Sequence, residues 1–289
     1  MNVLKTGILL SLLTVLLVAV GRLIGGPNGA MTAFVFALVM NLGAYWFSDK
    51  FVLAMYQAKP LSEAEAPQVY RVVRELAMRD HIPMPKVYWL PTATPNAFAT
   101  GRNPQHAAVA VTSGLLDIMG EEELKGVIAH ELSHVKNRDT LVMSVAAAVA
   151  GAISMLAHWA RWGLMWGGGG SRDDRRSGNA VVQVVALVLI AILAPLAAML
   201  IQLAISRTRE YGADDTGARL TGNPSGLADA LEKLDRAVRA HPLPNVNPAT
   251  AHLFIVNPLS AGALSRLFST HPPIAERVRR LRSMRLGIS

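Results

Sequence analysis

Four long apolar stretches divide this chain, at residues 6–24, 30–47, 140–160 and 180–205. Each is close to the about 20 mostly apolar residues that carry a helix across a bilayer. Arg22 sits near the end of the first, where its side chain can snorkel to an interface. Asn41 in the second, and Gln183, Pro195 and Gln202 in the fourth, are groups that neighbouring helices can satisfy. A cleaved signal peptide is disfavoured, because a second apolar span follows almost at once with no clear small-x-small site. Read alone, the third stretch also fits a buried core helix. Trp159, Trp162 and Trp166 cluster where it would leave the bilayer, as interfacial anchors do. The residues that follow, 167–179, begin with four glycines and form a polar loop.

The intervening stretches change period. Residues 67–79 predict a helix with Val69, Val72, Val73 and Leu76 on one side. Residues 86–90 predict a strand, and 96–100 and 107–112 two short extended runs around a Gly-Arg-Asn-Pro turn. One of these runs is expected to be an edge strand, where an extended peptide can add itself by main-chain hydrogen bonds. A plain hairpin explains the same pattern. Residues 224–240 predict an amphipathic helix through Leu227, Leu231, Leu234 and Val238. After a Pro- and Asn-rich loop, Pro272 and Pro273 suit the start of a basic terminal helix.

The chemistry gathers in residues 126–134, GVIAHELSH. Glu121, Glu122 and Glu123 before it, and Lys136 and Arg138 after it, match the two poles of a helix macrodipole. Residues four apart share a helical face, so His130 and His134 can offer two imidazoles to one ion. Glu131, one residue past the first ligand, is placed to take a proton from a metal-activated water. Val127, Ile128, Leu132 and Val135 mark a helix with a buried side, not a solvated charge run.

A zinc site needs a third ligand. Continuation to a third histidine is excluded, since Asn137 and Thr140 occupy the glycine and histidine positions of that motif. The remaining candidate is Glu210, with Asp214 four residues on placed to hold the distal N–H of a ligand histidine. Alone, that stretch reads as an exposed helix start; beside HExxH it reads as the rest of the site. If His130, His134 and Glu210 share an ion, they lie on one side of the membrane. Two apolar stretches lie between them, so the third and fourth form a hairpin.

Hydrophobic residues make up 52% of the 289 positions, yet the formal net charge is +8, as expected if membrane segments alternate with basic aqueous ones. Regions 48–138 and 206–289 hold 10 and 12 Lys plus Arg, against four in the second loop, which favours a cytoplasmic catalytic domain. The basic balance also suits anionic lipid headgroups, and no nucleic-acid module is visible. With no cysteine, disulfides, thiolate metal sites and cysteine nucleophiles are all excluded.

Together, residues 96–101 (NAFATG), 112–116 (TSGLL), HELSH at 130–134, 206–214 (SRTREYGAD) and 270–273 (THPP) resemble the HtpX-type membrane zinc metallopeptidases, relatives of the CAAX prenyl proteases. The resemblance implies zinc ligation by His130, His134 and Glu210, one ion per subunit, with Glu131 as general base. It places Asn96, with Ala97 and Phe98, at the substrate cleft, and His271 and Arg277 near the oxyanion. From physics alone His271 is a cap or structural residue. It further implies a multi-pass protein of the bacterial inner membrane, its site facing the cytoplasm, that degrades damaged membrane proteins under stress.

The expected fold is a mostly α integral membrane protein, with four transmembrane helices and a zincin-like α+β metalloprotease domain carrying a small sheet. A transmembrane hairpin (6–47) precedes the first part of the catalytic domain (48–138). A second hairpin (139–205) precedes the remainder (206–289). Its partners would be polypeptide substrates and the bilayer. A membrane adaptor with a structural zinc is the alternative. A metal transporter fits less well, because both metal-binding stretches fall outside the apolar segments.

Overall fold

The computed structural model describes residues 2–147, 149, 207–240, 253–256 and 272–285. The first element, α1 (Asn2–Met55), is two helical arms broken at Gly25 and Gly26, where Gly26 takes φ 59° and ψ −145°. A side chain is strained in that conformation, so glycine suits the turn. Pro27, which lacks an N–H to donate, opens the second arm. The arms are antiparallel: Asn41 Nδ2 donates to Leu10 O at 3.1 Å and to Thr14 Oγ1 at 2.7 Å. Gly21 and Gly29 let the two backbones approach, since a Cβ on either would collide with the other's carbonyl.

Among the described residues, one helix is long and apolar enough to cross a membrane, the 31-residue arm Gly25–Met55. Its apolar side chains face outward, Val39 being 65% exposed and Phe47 55%. That is the opposite of a core helix. The stretches 180–205 and most of 140–160, with the Trp cluster and the loop 167–179, lie outside the described residues.

The sheet has four strands, β1 (Lys59–Pro60), β2 (Lys86–Leu90), β3 (Ala97–Thr100) and β4 (Ala108–Thr112), in the order β1-β2-β4-β3. Only the β2–β4 pair is parallel. Both faces are covered, and the strand period of two sorts the side chains. Val87, Ala97, Ala99, Val109 and Val111 face the main core. Leu90, Phe98, Ala108 and Ala110 face the other side, against Val52, Leu53 and Tyr56 at the end of α1 and Met143 and Ala147. The last two belong to a helical segment, 139–147, that begins the third apolar stretch.

The main core lies between the sheet and the helices α2 (Pro67–Arg79), α4 (Glu121–Lys136) and α6 (Pro224–Ala240). Short α3 (Ser113–Ile118) starts where Thr112 Oγ1 accepts from Leu115 N at 3.1 Å. Helix α5 (Arg207–Thr221) packs along α4, and α7 (Ile274–Ser283) packs against α6 and α5. The helices expected at 67–79 and 224–240 form as the apolar spacing predicts, with Val69, Val72, Val73, Leu76, Leu227, Leu231 and Leu234 buried. Leu231, fully buried in α6, should cost about 2–5 kcal/mol when truncated to Ala. The check is the denaturant midpoint of the detergent-solubilised chain.

Candidate metal centre

Helix α4 is buried from Leu124 to Val135 except at Lys125, and this is what removes His130, Glu131 and His134 from solvent. At its start the Gly120 N–H donates to Glu123 Oε2 at 2.7 Å, and Lys233 of α6 donates to the same oxygen at 2.7 Å. Helix α5 reaches the site because Gly217 lets its backbone lie against α4. A Cβ there would stand 2.9 Å from the His130 backbone nitrogen. This close approach carries Glu210 and Asp214 onto the two histidines.

The Nε2 atoms of His130 and His134 lie 3.3 Å apart. Glu210 Oε2 is 3.8 Å from His130 Nε2, and Glu210 Oε1 is 3.5 Å from His134 Nε2. One ligand atom from each residue falls within 4.8 Å of the others, and all three residues are buried. Two imidazole nitrogens and a carboxylate oxygen are a suitable donor set for zinc that retains an open position.

Each imidazole is backed by a carboxylate. His130 Nδ1 lies 3.0 Å from Asp214 Oδ1, and His134 Nδ1 lies 3.2 Å from Asp139 Oδ2. Arg277, with no exposed surface, holds Asp214 through two bonds: Nε to Oδ2 at 2.8 Å and Nη2 to Oδ1 at 2.7 Å. Its Nη1 donates to Ile255 O at 3.0 Å and lies 3.9 Å from Glu210 Oε2. The guanidinium thus braces the ligand set from behind.

Burial alone would raise the Asp214 carboxyl, but the Arg277 charge and hydrogen bonds hold it at about 2. Burial pushes the Glu131 carboxyl up to about 7; Glu210 adds to this, while His134, the Ala99 N–H and Arg277 oppose it. Burial lowers His130, with Asp214 opposing. Burial also disfavours charge on His134, yet the bond to Asp139 and the carboxylates of Glu210 and Glu131 raise it to about 9. The surroundings of His134 therefore favour a positive charge, which a divalent cation would supply.

Glu131 Oε2 accepts the Ala99 N–H at 2.8 Å. Thr112 N donates to Asn96 O at 3.0 Å, so by antiparallel alternation 98 and 100 turn their main chain to β4, and 97 and 99 turn theirs away. Strand β3 is thus an edge whose outward main chain faces Glu131. Asn96 is buried; its Oδ1 accepts from Ile255 N at 3.2 Å. The Phe98 ring packs on Tyr56, on the side of the sheet away from α4. His271 lies outside the described residues.

The sequence reading missed Asp139 and Arg209. On an unbroken helix Asp139 would sit roughly 140° round from His134. A break at 137–138, where Arg138 takes φ 58°, brings it back.

A buried HExxH helix with a glutamate brought in from a second helix defines a zinc metallopeptidase. The chain belongs to peptidase family M48, whose profile matches residues 63–285. It is 60% identical over 280 residues to a protease HtpX homolog of Syntrophobacter fumaroxidans, covering 97% of this chain and 98% of that one. It is 56% identical over 286 residues to one of Pyrococcus furiosus, covering 98% and 97%. In fold it is similar to the crystal structure of S. mikatae Ste24p, with TM-score 0.51 and 19% identity, over 93% of this chain and 61% of that one.

Zinc competes with a proton for His134. Because that histidine's pKa is raised to about 9, zinc affinity should climb as pH rises from 6.5 towards 9, by up to about tenfold per unit. Competition with a chelator of known affinity at each pH measures this. Replacing Arg277 with Leu strands the Asp214 charge in the interior, at a cost of about 3–5 kcal/mol. Thermal unfolding of that variant should show the loss, and Asp214→Asn in the same chain should recover part of it.

Proposed function

We propose that this chain is a membrane-embedded endopeptidase, carrying one zinc ion, that cleaves extended segments of other polypeptides. Its substrates on this reading include misfolded or damaged membrane proteins, in stress-linked quality control. The supporting observation is the position of Glu131. It neighbours the His130–His134–Glu210 cluster and also contacts the main chain of an edge strand, so base and substrate platform are in register.

Residues 96–98 are the substrate platform. A substrate strand pairs with the outward main chain of Ala97 and Ala99, while Asn96 fixes the start of the strand through Ile255. On binding, the substrate displaces the Glu131 carboxylate from the Ala99 N–H and frees it to act as base. Zinc held by His130, His134 and Glu210 would supply Lewis acidity, making a water beside Glu131 easier to deprotonate near neutral pH. Glu131 takes the proton of the attacking water and delivers it to the leaving amine. His271 donates to the oxyanion, and Arg277 supports it from behind Glu210 by charge while holding Asp214.

The outward apolar side chains of Gly25–Met55 support membrane embedding. The second hairpin at 139–205 completes four crossings. The Lys and Arg excess in 48–138 and 206–289 supports a site facing the cytoplasm, the cytoplasmic membrane being the location proposed.

Zinc-supplied protein in detergent should cleave casein. Glu131→Gln should lower kcat by at least about 100-fold, the lower end for loss of a general base, with zinc still bound. Glu210→Ala should lose the ion. Full activity in Glu131→Gln would sink the protease mechanism, and zinc bound without cleavage by any form would favour the adaptor.

A further inference from the structure

The two carboxylates behind the histidines have different origins. Asp214 shares α5 with Glu210, one helical turn on. Asp139 comes from the opposite direction, as the first residue after the break that ends α4. That break runs through Arg138 in the left-handed region, an uncommon conformation for a non-glycine residue, and such conformations persist where the surroundings enforce them. Asp139 is 2% exposed. Its Oδ2 faces His134 Nδ1 at 3.2 Å, and its Oδ1 faces Arg209 Nε at 3.8 Å.

Arg209 immediately precedes Glu210, so the contacts close a ring. From His134 Nδ1 it passes to Asp139, across to Arg209, along one peptide to Glu210, and back to His134 Nε2 at 3.5 Å. Two of the three metal ligands are thus joined on both their inner and outer sides. Residues 139 and 209 also flank the stretch 140–208, which holds the third and fourth apolar segments. The ring stands at the neck of that insertion.

We propose that Asp139 is a positioning residue for the metal ligand His134, clamped by Arg209. Asp139 accepts the Nδ1–H of His134 and so turns the Nε2 lone pair towards the ion, as carboxylates behind ligand histidines do. Arg209 fixes the carboxylate so that the ring plane is fixed with it. This inference rests on the zinc reading of the site.

The competing role for Asp139 is local: an acidic group in the first turn of the helical segment 139–147, which would stabilise that turn and nothing else. Asparagine and serine separate the two roles. Both serve a helix start about equally, but only asparagine keeps an acceptor oxygen at the distance of the aspartate's.

The experiment uses the full chain in detergent, with Asp139→Asn, Asp139→Ser, Asp139→Ala and Arg209→Gln. Zinc affinity is read by competition with a chromogenic chelator, apo-protein stability by thermal midpoint, and kcat and KM on casein at saturating zinc. Asp139→Ser and Asp139→Ala should bind zinc about 10–100-fold more weakly. Asp139→Asn should fall between them and the parent, and Arg209→Gln should show a smaller loss. Apo midpoints of the Asn and Ser variants should agree, and any residual rate defect should lie in kcat. Parent-like zinc affinity in Asp139→Ser overturns the positioning role and leaves the protease reading standing. A parent chain that binds no zinc overturns both.

Discussion

The buried guanidinium of Arg277 is the fixed charge on which the centre depends. Glu131, Glu210, Asp214 and Asp139 are all buried, within a few residues' reach of one another. Packing so many carboxylates away from water is costly unless each has a partner. Arg277 answers for Asp214 directly, lies 3.9 Å from Glu210, and lowers Glu131. It also reaches the carbonyl of Ile255, whose N–H is held by Asn96 at the head of the edge strand. One side chain of the last described helix therefore ties the metal ligands, the segment 253–256 and the head of the edge strand into a single connected set.

The architecture serves the meeting of α4 with β3. Alanines at 97 and 99 keep the strand close to the helix, so that Glu131 can span from the metal ligands to a strand N–H. On the far face, small residues at 108 and 110 admit Met143 and Ala147 and the end of α1. The Thr100 hydroxyl lies 2.7 Å from that of Ser144, joining the end of the edge strand to the segment that leads into the third apolar stretch.

Much of this was legible from the chain. HExxH at helical spacing, and Glu210 with Asp214 one turn apart, needed only the geometry of a helix and the demand for a third ligand. The amphipathic helices at 67–79 and 224–240 showed in their leucine and valine spacing. What stayed hidden depends on departures from regular structure. Asp139 reaches His134 only through a left-handed residue that is neither Gly nor Asn. Arg277 was expected near the oxyanion by resemblance; its bidentate grip on Asp214, 63 positions away, has no local signature. The two-residue β1 and the six-residue α3 are too short for any period to show. Gly217 carries no local signal of its role, because the backbone it admits comes from another helix.

The continuity of the second arm of α1 bears on reach. From Pro27 to Met55 it runs without a break, roughly 44 Å at about 1.5 Å per residue, against a hydrocarbon core of about 30 Å. At its far end Val52 and Leu53 pack against the sheet. In a bilayer the catalytic domain would then stand on a rigid post, with no tether to lengthen. If that arm crosses a bilayer, the height of the metal centre above the membrane is set by the length of a helix and not by a slack linker.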